Sequence, residues 1–159
     1  MTGNMEKLEV EPIRLDGFKF AALAAEVKKI GTVRLDLGLV VSERPAVVAG
    51  VTTRNLVHAA PVTLTRKVLS SGLCQAVLVN SGNANAYTGA PGLEDASLLI
   101  ESLSRESGID QNLIIPMSTG VIGVRLPVDR IKSRLPDLVR TAGPDGFHDV
   151  AQAIMTTDT

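Results

Sequence analysis

The sequence contains no tryptophan, a single cysteine and only 3% aromatic residues. One cysteine, Cys74, allows neither an intrachain disulfide nor a multi-cysteine metal site, and it suits a reducing, cytoplasmic compartment. Scarce aromatics leave no stacking platform for bases or sugars. An excess of charge is also missing. With 16 Lys and Arg against 17 Asp and Glu, the formal charge is −1, far from the basic footprint of a nucleic-acid binder. No apolar run reaches the ~18 residues that span a bilayer. The first residues lack the apolar core of a signal peptide. The two histidines, His58 and His148, are far apart, with no cysteine or carboxylate at ligand spacing, so no metal is expected. Nucleic acid and membrane are thereby excluded as expected partners.

What is present is a chain of 159 residues, 45% hydrophobic, enough for one compact domain over residues 1–159. Residues 1–12 read as a loose polar start. VRLDLGLVV (33–41) alternates, with Val33, Leu35, Leu37 and Leu39 on one face and Arg34, Asp36 and Gly38 on the other, the pattern of a half-buried strand. SERP (42–45) reads as a turn and AVVAGV (46–51) as a returning strand, which predicts a hairpin. CQAVLVN (74–80) is a third strand, with Cys74 as a small buried apolar residue. SGNANAYTGAPG (81–92) reads as a loop. A helix is expected from about Leu93 to Ser107, with Glu94 and Asp95 complementing its N-terminal dipole and Gly108 ending it. NLIIPM (112–117) is a fourth strand. LPVDRIKSRL (126–135) is a helix ended or kinked by Pro136, DLVRTAG continues helically, and a last helix runs from about Asp145 to Ala153. This mixture, with an early hairpin and no βαβ series, predicts an α+β fold with a mixed or antiparallel sheet.

Two segments carry candidate chemistry. VNSGNANAYTG exposes backbone N–H groups as a phosphate cradle would, but it lacks the Gly-Lys-Ser/Thr ending of a P-loop and the GxGxxG spacing. It also reads as a tight structural loop, with Asn83 and Asn85 suited to left-handed conformations. The run IIPMSTGVIG (114–123) breaks its apolar character at Ser118, Thr119 and Gly120. A threonine hydroxyl beside a glycine N–H supplies two donors that can converge on developing negative charge, and glycine permits close approach. Ser-Thr-Gly equally suits an ordinary turn. The Ser-His-Asp signature GxSxG is absent.

Taken together, DLGLVVSERPAVVAGVTTRN, AAPVTLTRKVL, VNSGNANAYTG with PGLEDA, MSTGVIGVRLPVDRI and AIMTTDT resemble the bifunctional ornithine acetyltransferases, the glutamate N-acetyltransferases of arginine biosynthesis. The segments come in the family's order and cover nearly all of the chain beyond residue 16. GVTTRN departs slightly from the family's usual aromatic-containing form. The resemblance implies a precursor that cuts itself before a threonine, which becomes the nucleophile of a second (beta) chain. It implies transfer of the acetyl group of N-acetylornithine to that threonine and then to glutamate, without coenzyme A or another cofactor. Thr119 and Gly120 match the family's oxyanion-hole pair, and Thr156 matches a substrate-binding position. The implied assembly is a layered α/β sandwich completed by the beta chain, in a heterotetramer of two alpha and two beta chains.

The sequence closes on MTTDT directly after a predicted helix and holds no Thr-led second chain. It is therefore expected to be the N-terminal (alpha) portion of such a precursor, inactive alone. Two alternatives share parts of this reading. A related self-processing aminopeptidase or amidase would pass the acyl group to water. A non-catalytic standalone chain would keep the fold without the chemistry.

Overall fold

The computed structural model describes residues 13–156; the expected loose start at residues 1–12 lies outside them. One four-stranded sheet, in the order β1-β2-β3-β4, organises the described residues. β1 (Phe18–Leu23) and β2 (Leu37–Val47) run antiparallel, as do β2 and β3 (Leu73–Asn83), whereas β3 and β4 (Ile114–Val121) run parallel. The fold is α+β with a mixed sheet, as the sequence predicts.

The expected hairpin at SERP does not form. β2 continues through Ser42–Pro45, paired with β1 as far as Ser42 and with β3 up to Val41 and again from Ala46. Its register against β3 shifts between Val41 and Ala46. Pro45, which has no N–H to give a ladder, falls inside that interruption. The strand expected at residue 33 starts instead at Leu37. Val33 is 94% exposed while Leu37 and Leu39 are buried, so only part of the alternating face reaches the core. β3 and β4 both outrun their apolar cores. They continue side by side through Asn80–Asn83 and Ser118–Val121. STG is thus strand, not a break after one.

Helices cover both faces. α1 (Ala60–Ser71) escaped the sequence reading, although Pro61 stands in its first turn and Leu64 and Val68 share its buried side. Those two residues pack beside β4, Leu64 in the main core and Val68 against Cys74 and Ile115. Cys74 is buried there, its thiol donating to the Ala76 carbonyl, and burial raises its pKa. α2 (Gly89–Ser107) begins four residues before the expected Leu93 and ends at Gly108. Glu94 and Asp95 consequently lie beyond its first turn, and the expected dipole role is lost. α3 (Val128–Arg140) continues through Pro136 rather than stopping there. Leu99, Ile100 and Leu103 of α2 and Ile131, Leu135 and Leu138 of α3 meet Leu37, Leu39, Ala76, Leu78 and Ile114 of the sheet in one core.

α4 (Phe147–Ile154) lies on the opposite face. Gly38, between Leu37 and Leu39, turns toward it, and a Cβ there would lie 3.3 Å from Val150 Cγ1. Phe147 meets Phe20 edge-on, with centroids 5.5 Å apart. Phe20 also exchanges backbone hydrogen bonds with Gly143 at 2.7 and 3.0 Å. These contacts fix where the chain enters α4, and so where it leaves.

Asp36 departs furthest from its expected place on a solvent face. It is fully buried. Its carboxylate accepts N–H bonds from Ala25 and Val27 at 2.7 Å and from Lys28 at 3.1 Å. Its own N–H donates to Leu23 O, and its carbonyl accepts from Ser81 N. The turn 24–28, with Glu26 in a left-handed conformation (φ 56°), is therefore wrapped around one carboxylate. An Asp36→Asn substitution keeps the shape but turns an NH₂ toward backbone N–H donors. Unfolding free energy should fall by roughly 1–3 kcal/mol, read by urea denaturation of the full-length protein. An unchanged midpoint would show the carboxylate to be dispensable.

Candidate active site

The parallel pair β3–β4 places Ser81 opposite Thr119 and Gly82 opposite Gly120. Period-2 alternation sends Ser118 and Thr119 to opposite faces, and the hydrogen bonds follow. Ser118 Oγ donates to Asn80 Oδ1 at 2.6 Å, and Asn80 Nδ2 donates to Asn83 O. Thr119 makes no side-chain hydrogen bond among the described residues and is half-buried. Of the two hydroxyls in STG, the one the sequence points to is the free one.

Gly120 is required for a reason other than the expected ligand approach. Its φ is 134°, and a Cβ would stand 2.3 Å from Gly82 C and 2.6 Å from Asn83 N. The two glycines let the strand ends press backbone against backbone. Gly82 (φ 104°) is hemmed in likewise by Lys28, whose Cα would lie 2.7 Å from an added Cβ.

The NSGNANA segment is a structural knot, as the second of its two sequence readings has it. Asn83 Nδ2 donates to Val124 O and Arg125 O, and its Oδ1 accepts from Asn85 N. Asn85 Nδ2 donates to Gly92 O, and its Oδ1 accepts from Thr88 Oγ1. Asn85 is left-handed (φ 46°) as expected, while Asn83 stays in the strand. With their side chains committed, these asparagines brace the site. Asp95, buried on α2, grips Arg125 with two bonds of 2.7 and 2.6 Å and anchors the loop that follows β4.

The C-terminal end of α4 closes the arrangement. Ser81 Oγ donates to Ala153 O, Lys28 Nζ to Met155 O, and Arg34 Nη2 to Thr156 O at 3.4 Å. The result is a cleft of about 480 Å³ lined by Lys28, Gly82, Thr119, Gly120, Val121 and Thr156. All three residues singled out in the sequence meet in this cleft. Lys28 and Gly82 were missed. Nothing local marks Lys28, which is brought in by a turn built on a carboxylate eight residues away.

Burial lowers the pKa of Lys28, as does the charge of Arg34, against the opposing pull of Asp36. The histidines lie elsewhere. Both ring nitrogens of His58 face hydrogen-bonding partners, Asn55 O and Thr63 Oγ1, and His148 pairs with Gln152. Among the described residues no three His, Cys, Asp or Glu side chains converge as a metal site would need, and no helix is long and apolar enough to cross a membrane. A free hydroxyl, a strand-end glycine and a nearby cation form a cleft suited to a group that carries or develops negative charge.

Comparison with known proteins identifies the family of the chain. The model of the ArgJ family matches residues 19–159. The arginine biosynthesis bifunctional protein ArgJ of Geobacter sulfurreducens is 48% identical over 147 residues, covering 92% of this chain and 37% of that protein. Its counterpart in Symbiobacterium thermophilum is 46% identical, with 90% and 36% covered. The crystal structure of ArgJ from Bacillus halodurans superposes with a TM-score of 0.83 at 39% identity, over 91% of this chain and 74% of that one. Ornithine acetyltransferase from Mycobacterium tuberculosis, solved with ornithine, gives 0.85 at 39% identity, over 94% and 79%. The chain belongs to the ArgJ family. It spans little more than a third of the length of the curated relatives it matches.

The glycine contact yields a direct test. Gly120→Ala forces a methyl group into β3 backbone and holds alanine at positive φ. Stability of the full-length protein should drop by roughly 2–5 kcal/mol, read by thermal unfolding. A melting temperature within a degree of the parent would show that the strand ends part easily.

Proposed function

We propose that this chain is the N-terminal (alpha) portion, folded as one domain, of a self-cleaving ornithine acetyltransferase. The reaction moves the acetyl group of N-acetylornithine to glutamate in arginine biosynthesis, in the cytoplasm. The nucleophile is the leading threonine of a beta chain, in a heterotetramer of two alpha and two beta chains. The observation that carries this reading is the convergence of Thr119, Gly120 and Thr156 on one cleft. When a threonine hydroxyl attacks the acetyl carbonyl, the carbonyl oxygen becomes an oxyanion. Thr119 Oγ–H and Gly120 N–H are the donors assigned to it. Held on adjacent residues of a strand, they need no reorganisation as charge develops. Thr156, across the cleft, is assigned to binding the amino-acid part of the substrate.

Surface character supports a covering chain. Met117, Val121, Ile122 and Val124 are 45–62% exposed along and just after β4, which is an edge strand of the sheet. Apolar side chains grouped beside a polar cleft fit a surface that another chain buries.

Two substitutions in the full-length protein test the assignments. Thr119→Ala should lower kcat about 10²–10³-fold with little change in KM, because the bond matters most in the transition state. Self-cleavage is checked on a gel first, and a fully processed variant with parental turnover would remove Thr119 from the oxyanion site. Thr156→Val keeps the shape and deletes the hydroxyl. KM for N-acetylornithine or glutamate should rise by the equivalent of roughly 1.5–3 kcal/mol. Unchanged KM values for both, with lowered thermal stability, would make Thr156 a structural hydroxyl instead.

A further inference from the structure

We infer that Lys28 is a positioning residue of the cleft: it fastens the segment that carries Thr156 across from Thr119 and Gly120. This rests on the functional reading above for its consequence in catalysis, but not for its geometry.

α4 runs Phe147–Ile154 and ends beside the cleft. The carbonyls at a helix C-terminus lack intrahelical partners and carry partial negative charge. Here three donors from outside the helix take carbonyls in this stretch. Ser81 Oγ of β3 holds Ala153 O, Lys28 Nζ holds Met155 O, and Arg34 Nη2 reaches Thr156 O. Ser81 acts on the penultimate residue of the helix, and Arg34 reaches through a long 3.4 Å bond from an exposed position. Lys28 is the close, half-buried contact on the residue next to Thr156.

Lys28 is itself held from two sides. Its N–H donates to the buried Asp36 carboxylate. Its main chain lies against Gly82, so closely that an added Cβ at Gly82 would stand 2.8 Å from Lys28 N. Gly82 in turn presses on Gly120. A run of close backbone contacts therefore leads from the assigned oxyanion donors through β3 to Lys28, and its ammonium completes the span to the Thr156 segment. The pKa of Lys28 is lowered, first by burial and then by the charge of Arg34, against the opposing pull of Asp36.

The test compares Lys28→Met and Lys28→Arg with the parent, all as full-length processed protein, by two measurements. The first is hydrogen exchange of the peptide covering residues 150–156. Lys28→Met should speed its exchange about tenfold or more while peptides of β3 and β4 keep parental rates, and Lys28→Arg should restore protection. The second is kinetics. In Lys28→Met, KM for N-acetylornithine should rise about 10- to 100-fold with kcat within a few-fold of the parent, and Lys28→Arg should recover most of it. Unchanged exchange at 150–156 overturns the inference. So does exchange that accelerates everywhere, which would mark a general stability role. A fall in kcat alone, with KM and exchange unchanged, overturns it too, because Lys28 would then act on the reacting atoms. A parent protein without acetyl transfer would defeat the functional reading, while the exchange measurement would still decide the role of Lys28.

Discussion

A single buried carboxylate organises the half of the structure from which the cleft is made. Asp36 has no solvent contact, and an ionised carboxylate there is tolerable only because backbone N–H groups converge on it. Those of Ala25, Val27 and Lys28 do so. This interaction bends the chain between β1 and β2 into a turn rather than letting it run on as strand. The bend delivers Lys28 to Gly82. The backbone of Asp36 also joins β1 to β3 through Leu23 and Ser81. One residue thus connects three strands and the rim of the cleft.

The second constraint is steric. β3 and β4 are the parallel pair of the sheet, and their ends come together at Gly82 and Gly120. Neither position has room for a Cβ. Backbone packing this close holds Thr119 rigidly, with its hydroxyl on the α4 side while Ser118 is spent on Asn80. The asparagines of NSGNANA and the Asp95–Arg125 pair then hold the chain on either side of these strand ends. Polar groups are thereby divided: one set is consumed in bracing, while the Thr119 hydroxyl has no partner among the described residues and lines the cleft. That division gives the cleft its chemistry.

Much of this was legible in the sequence. The apolar run CQAVLVN marked the core of β3, and helices were expected where α2, α3 and α4 lie. The Ser-Thr-Gly signal and the MTTDT segment marked Thr119, Gly120 and Thr156, which share one cleft, and the resemblance to ornithine acetyltransferases implied the roles proposed for them. Other features misled for identifiable reasons. SERP has turn composition, but β2 rejoins β3 at Ala46, and the register shift between Val41 and Ala46 absorbs the proline that would otherwise break the strand. α1 went unread because its apolar residues are few and interleaved with Thr, Arg and Lys, so its pattern is weak without Leu64 and Val68 seen against the sheet.

The amino-acid pattern alone determined which stretches are apolar, where small and hydroxyl residues interrupt them, and the family to which those interruptions point, because these are properties of neighbouring residues. Only the tertiary structure decided that Asp36 is buried, that Gly120 is needed by a facing strand, that Ser118 is engaged while Thr119 has no partner among the described residues, and that Lys28 joins the cleft. Each depends on a partner distant in the chain: Asp36 on the turn it gathers, Gly120 on Gly82, Ser118 on Asn80, Lys28 on Met155. Hydrogen bonds and backbone contacts across such separations leave no periodic trace in the sequence, since they are set by how the strands come to lie beside one another.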